Sequence, residues 1–521
     1  MARRAFAVNP ARLRPGLAGA VAAALGLLTL GTLLMVLARG SAGGGFAAPD
    51  WAAVRFTLLQ AVLSALISVG LAVPVARALF RRRFAGRGAL IALLGAPFLL
   101  PVIVAVLGLL AVFGRAGLIN RGLEALGLPP VSIYGLHGVV LAHVFLNMPL
   151  AVRMILQGWQ AIPGERFRLA ASLGFGPRAC LRHLEVPMLR GVLPGALLAV
   201  FTICLTSFAV ALTLGGGPRA TTVELAIYQA LRFEFDLPRA ALLAAVQFGL
   251  CAAAVGLAGW LTVPAGFGAG MGRPGEVCAP GGWRRGADVL GIALAAGFVI
   301  LPLLAVVARG APGLGDLPLS VWQATARSIM VALVSCTLAV SGGLVLALAV
   351  ASGRRGYELA AMLPLAASSL VLGTGLFLAV HPWVNPARVA LPVTMLVNAA
   401  LSLPFAFRIL LPEARGIEAD YGRLAEALGL RGVARLRWVT LPRLRRPLGF
   451  AAGVCAALAM GDLGVIALFA SESGATLPLL VQRLMGAYRM ETAAAAALLL
   501  VSLSFALFWL FDWGGRRGAE A

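Results

Sequence analysis

Twelve apolar stretches of about 20 residues each dominate this chain, and they leave few folds open to it. A helix of that length crosses a hydrocarbon core of about 30 Å. The stretches fall at 17–38, 56–80, 89–113, 136–156, 191–214 and 239–263. After a Gly/Pro-rich linker at 264–286 they resume at 288–307, 328–351, 359–380, 389–411, 448–470 and 492–511. A soluble domain averages about a quarter charged residues; here 12% of the 521 residues are charged and 60% are hydrophobic. The pattern predicts an all-α polytopic membrane protein with about 12 transmembrane helices, six on each side of the linker. The first stretch is long for a signal peptide and lacks an A-x-A cleavage site, so it reads as a retained span.

Charge orients the spans. The net charge is +23, and all 43 basic residues are arginine. They are grouped in short segments between spans, which argues for membrane topology and against a nucleic-acid partner. With the N-terminus in the cytoplasm, 31 of the 43 arginines lie on the cytoplasmic side, as the positive-inside rule requires. An even number of spans then returns the C-terminus to the same side. Without lysine the chain has no Gly-Lys-Ser/Thr phosphate loop and no Schiff-base nucleophile. The six cysteines form no C-x-x-C pair and the four histidines no H-E-x-x-H pattern, so neither type suggests a metal centre.

One polar, Arg-rich stretch occurs twice. Residues Asn147–Leu193 and Ser402–Leu448 align without a gap at an offset of 255, with about a third of positions identical. The first contains RLAASLG (168–174) and LEVP (184–187); the second contains RLAEALG (423–429) and VTLP (439–442). At an offset of 272, Arg55, Arg82 and Arg83 meet Arg327, Arg354 and Arg355, so the duplication extends beyond the loop. Six spans per copy make the repeats parallel, and the economical place for a pathway is the axis that relates them. Within each loop, helix-like patterns at 166–175 and 421–430 end at Gly174 and Gly429, glycine being suited to the position after a helix. Pro187 and Pro442 are expected to break the chain before the next span. The expected element is a short helix lying parallel to the membrane on the cytoplasmic face.

These loops resemble the EAA loop of ABC-importer permeases, and the duplicated six-span halves resemble the type I importer fold. The resemblance implies that the loop helices couple to a separate ATPase subunit. Carried over by motif position, Ala170, Leu173, Gly174 and Pro187 form one coupling site, and Ala425, Leu428, Gly429 and Pro442 the other. Arg168 and Arg423 stand where the family has an acidic residue. More specific stretches are VRFTLLQAVLSALISV (54–69), RALFRRRFAGR (77–87), YGLHGVVLAHVFLNMP (134–149), LGGGPRATTVELAIYQAL (214–231) and GDLGVIALF (461–469). They are similar to the fused permease of thiamine and thiamine pyrophosphate importers, over nearly the whole chain. That likeness implies residence in the bacterial inner membrane among its lipids. The implied partners are a homodimeric ATPase and a periplasmic thiamine-binding protein, with thiamine or its phosphates as substrate. No cofactor is expected on this chain, since ATP would be used by the ATPase. The implied organisation is a cytoplasmic N-terminus, first span and periplasmic loop (1–52), a first transport domain (53–263), linker and seventh span (264–320), a second transport domain (321–512) and a cytoplasmic tail (513–521).

A few polar residues inside the spans are pathway candidates. Asp462 interrupts an apolar run, and its equivalent in the first repeat is Ser207. An ionisable group at membrane depth is costly, which makes it a functional candidate. Asn147 and Asn398 lie in the fourth and tenth spans. The Gly215–Gly217 run precedes a proline and reads as a turn rather than a phosphate cradle. Glu224, Glu234 and Asp236, in the same periplasmic segment, read as a docking surface for the binding protein. A fused permease for ferric iron or another small solute shares this architecture. An ion-coupled secondary transporter also can have parallel repeats, but it needs more intramembrane ionisable groups than this chain offers.

Overall fold

A computed structural model describes residues 15–40, 45–95, 99–217, 220–261, 282–471 and 474–517. Among them every regular element is a helix. Eleven helices are long and apolar enough to cross a membrane, and a sharply bent pair raises the number to twelve, as expected. Most of the linker, Cys278 and the four N-terminal arginines lie outside the described residues.

The helices used below are α1 (Gly16–Gly40), α2 (Ala48–Arg81), α3 (Arg87–Leu93), α4 (Val102–Phe113), α5 (Leu118–Ala125), α6 (Leu136–Gln160), α7 (Gly164–Ser172), α8 (Val186–Leu205) and α9 (Phe208–Leu214). They continue with α10 (Val223–Gln229), α11 (Leu237–Leu261), α12 (Trp283–Gly310), α13 (Leu319–Ala351), α14 (Gly356–Met362), α15 (Ser369–Val380), α16 (Ala390–Ala427), α17 (Leu441–Gly461) and α18 (Gly464–Phe469). The last span is α19 (Met490–Arg517).

Two compact units result. One joins α1 to the chain from Pro318 to Leu480 and to the C-terminal residues from Leu500; the other holds the chain from α2 to Leu317 together with Val481–Leu499. The first span therefore packs on the second repeat, and the seventh on the first. Small residues permit both contacts, as is usual where apolar helices gain little from burial alone. A Cβ on Gly375 of α15 would fall 2.5 Å from Thr32 of α1, and one on Gly108 of α4 would fall 2.7 Å from the Pro302 carbonyl of α12. The buried Thr29 and Thr32 hydroxyls donate back to the Leu25 and Leu28 carbonyls, both at 2.7 Å, so α1 exposes no unpaired hydroxyl in its core face.

Several expected spans are broken, at matching places in the two repeats. The third divides into α3 and α4, and the ninth into α14 and α15, with an 89° bend after the 3-10 turn Leu363–Ala366. Ser368 caps α15, its hydroxyl accepting from the Val371 N–H at 3.1 Å; Pro101 occupies the corresponding cap of α4. The fifth breaks between Leu205 and Phe208 and the eleventh between Gly461 and Gly464. An apolar run of uniform length registers none of these interruptions.

Candidate coupling loops and helix breaks

The first loop copy begins where α6 ends at Gln160. Ala161–Pro163 form a turn, and α7 follows as a separate helix. Leu173 closes it and Gly174 takes φ +68°, a left-handed conformation that costs other residues about 1–2 kcal/mol. The Gly174 N–H donates to Ala171 at 3.0 Å and the Phe175 N–H to Ala170 at 2.9 Å, a glycine-terminated cap. The second copy ends in the same way. Gly429 has φ +68°, its N–H donates to Glu426 at 3.0 Å, and the Leu430 N–H donates to Ala425 at 2.9 Å. Its helix differs from the expected short element: it is the end of the 38-residue α16, continuous with the tenth span.

The motif positions separate into two faces. Ala170 and Ala425 are buried beneath their helices, while Leu173, Leu428 and both glycines are exposed. Leu169 and Leu424, which the motif does not mark, stand one turn before Leu173 and Leu428 and are 60% and 55% exposed. Each loop thus presents an exposed leucine pair at i, i+4, while the alanine lets the helix sit close to its own unit. Arg168 and Arg423 are also exposed, and Arg168 makes only a surface pair with Glu165 at 3.3 Å.

Pro187 and Pro442 do not break the chain. In each copy a one-turn helix (Pro177–Cys180, Gly432–Arg435) runs through a π-turn (Leu181–Glu185, Leu436–Thr440) into α8 or α17. The proline sits in the first turn after the π-turn, where the widened ladder accommodates a residue with no N–H to donate.

Different contacts anchor the two loops. Glu185, buried in the first π-turn, accepts from Arg77 at 2.6 Å and Arg81 at 2.9 Å, both on α2. Its counterpart is Thr440. In the second copy Arg435 pairs with Glu418 of α16 at 2.6 Å, and the Arg443 guanidinium lies 3.5 Å from the centre of the Tyr421 ring.

The remaining candidates gather at the fifth-span breaks. Ser207 is half-buried at the start of α9. Asn147 donates to the Cys204 sulfur at 3.4 Å, one turn before Ser207. Two buried glutamines satisfy carbonyls that the break releases: Gln60 donates to Cys204 O at 2.9 Å and Gln247 to Leu205 O at 2.8 Å. In the second repeat the half-buried Asp462 has extended backbone between α17 and α18. Its Oδ1 accepts from the Gly464 N–H at 3.3 Å, whereas Oδ2 is buried with no hydrogen-bond partner. Asn398 faces this carboxylate and donates to Ala459 O at 3.5 Å, the counterpart of Cys204 O. The glutamines gave no sequence signal, because each is a single polar residue in an apolar run.

Gly216 and Gly217 adopt positive φ, in keeping with a turn. The acidic surface beyond them is smaller than expected. Glu224 is fully buried in α10 and unavailable for docking, while Glu234 and Asp236 bind Arg239.

No protein-family profile matches the chain. Curated relatives do. The thiamine transport system permease protein of Brucella abortus is 39% identical over all of this chain and 98% of its own length. That of Salmonella typhimurium is 40% identical over 89% of this chain and 88% of its own. The molybdenum transport system permease protein of Mycobacterium bovis is 35% identical, over 33% of this chain and 65% of its own.

Proposed function

The chain belongs to the family of thiamine transport system permease proteins, and we propose that it carries thiamine and its phosphate esters across the bacterial inner membrane as the translocation subunit of an ATP-driven importer. ATP hydrolysis falls to a separate homodimeric ATPase, consistent with a chain that has no lysine for a phosphate loop. Two like ATPase subunits meet two like loops. A periplasmic thiamine-binding protein delivers the substrate, and both termini lie in the cytoplasm, where the arginine asymmetry favours them.

The observation that carries this reading is the pair of Gly-capped loops, each offering exposed leucines at one spacing: Leu169 and Leu173, Leu424 and Leu428. An apolar pair on a capped helix end fits a groove in a partner. When the ATPase subunits close on ATP, they draw on these ends and bias the permease between its inward- and outward-facing states.

Uptake of labelled thiamine into vesicles bearing this chain, its ATPase and the binding protein tests the proposal. ATP-dependent uptake is expected in wild type, with at least a tenfold loss in Leu173→Asp with Leu428→Asp. Both leucines are exposed, so membrane insertion should be unchanged. Undiminished uptake by the double variant removes the loops from the mechanism; no thiamine uptake by an assembled wild-type complex removes the substrate assignment.

A further inference from the structure

Resting on that reading, we propose that Asp462 and Asn398 form a cation site within the membrane domain that takes the positively charged thiazolium ring of the substrate. The repeat supplies an internal control. Both fifth spans break at the same place, and both tie the same released carbonyl to a buried side-chain amide, Gln60 to Cys204 in one and Asn398 to Ala459 in the other. In the first repeat Ser207 takes this position, and its break forms without an acid there. The break therefore does not require an acid, and the acid at Asp462 needs another explanation.

Its surroundings point to a cation. Oδ1 caps α18 through Gly464, but Oδ2 is buried without a hydrogen-bond partner, and among the described residues no arginine pairs with the carboxylate. A carboxylate at membrane depth is costly until a positive charge faces it. Two neutral groups stand beside it: Asn398 from α16, and Ser369 from α15, whose hydroxyl lies against Gly464. The ninth-span and eleventh-span breaks meet here, as solute sites in transporters commonly form at discontinuous helices. A quaternary ring nitrogen has no proton to donate, so it suits an oxygen that makes no directed bond.

Asp462→Asn is the decisive variant, since it keeps the capping oxygen and loses the charge. Thiamine uptake should fall at least tenfold with the complex assembled to the same yield, and Asp462→Glu should recover part of it. Asp462→Ser, which copies the first repeat, should fail equally and guards against a fault specific to asparagine. A second measurement needs no transport. On the purified chain, an N-alkylthiazolium cation should slow dicyclohexylcarbodiimide labelling of Asp462 at least threefold, and a neutral aminopyrimidine should not. Uptake by Asp462→Asn within twofold of wild type overturns the proposal, as does labelling indifferent to the cation. A wild-type complex that imports no thiamine, with Asp462 still protected by the cation, refutes the thiamine reading and leaves the site standing.

Discussion

In the first repeat the loop helix is a detached piece behind Pro163 and Gly164; in the second, the same stretch is the end of α16, with Glu418 and Ala419 in those places. Proline cannot donate the hydrogen bond that would continue α6, and it steers the residue before it away from helical backbone. Glutamate and alanine carry the helix through. The consequence is mechanical. A detached helix must be held by its neighbours, and α7 is: Phe167 packs on Phe80 with ring centres 5.9 Å apart, Phe80 stacks on Trp159 at 6.3 Å, and Glu185 is clamped by Arg77 and Arg81. The continuous helix needs less. Gly422 stands where Phe167 would be, and one ion pair, Glu418 to Arg435, ties the loop back to α16. Asn398 and the Leu428 cap belong to one helix, about 45 Å of contour at about 1.5 Å per residue and passing through Pro404 and Pro412, so the second loop and the proposed cation site share an element.

The largest test of this difference is Glu185→Ala. It strands the Arg81 guanidinium, only 7% exposed, and should cost about 3–5 kcal/mol in thermal unfolding of the purified chain. Glu418→Ala also strands a guanidinium, Arg435 at 10% exposed, but the carboxylate it removes is 31% exposed and already partly solvated, so a smaller loss of about 2 kcal/mol is expected. Equal losses would show that both loops depend on their ion pairs alike. Next comes Phe167→Ala, which empties the space between α7 and Phe80. About 3 kcal/mol is expected, together with faster protease cleavage at the first loop than at the second. Cleavage at equal rates would mean that the aromatic contact does not restrain α7.

Gly174→Ala and Gly429→Ala sharpen the comparison from the other side. Both glycines have φ +68° and a Cβ on either would meet nothing within 4 Å, so each change should cost about 1–2 kcal/mol and the two should match. A mismatch would show that the difference between the loops extends to their caps.

Much of this was readable beforehand. Gly174 and Gly429 announced themselves as helix ends, and the apolar runs located the spans. The detached α7 was written in the alignment as Pro163-Gly164 against Glu418-Ala419, but apolar periodicity passes over such a pair. Pro187 and Pro442 misled, because a proline rule for helix interiors says nothing of a preceding π-turn. Motif position marked Ala170 and Ala425 beside Leu173 and Leu428 without separating the buried face from the exposed one. Neither the exchange of the first and seventh spans nor the glutamine amides at the fifth-span break leaves a periodic trace, since both are contacts between distant segments.

The smallest expected effect on stability belongs to the substitution that would erase the difference, Pro163→Glu with Gly164→Ala. Removing the proline and a helical glycine favours continuation of α6 by helix propensity, while Phe167 and Glu185 still hold α7 in its present direction. These influences oppose one another, and the net change should stay within about 1 kcal/mol. The geometry should respond more than the energy. Spin labels at Gln160 and Ser172, both exposed in the native chain, would move to about 18 Å apart in an unbroken helix. A shift toward that separation makes Pro163 the cause of the break, and the second loop the form that the first adopts without it. An unchanged separation instead assigns the break to the aromatic and ion-pair contacts with α2, and those contacts would then be the place where the first repeat sets the direction of its coupling helix.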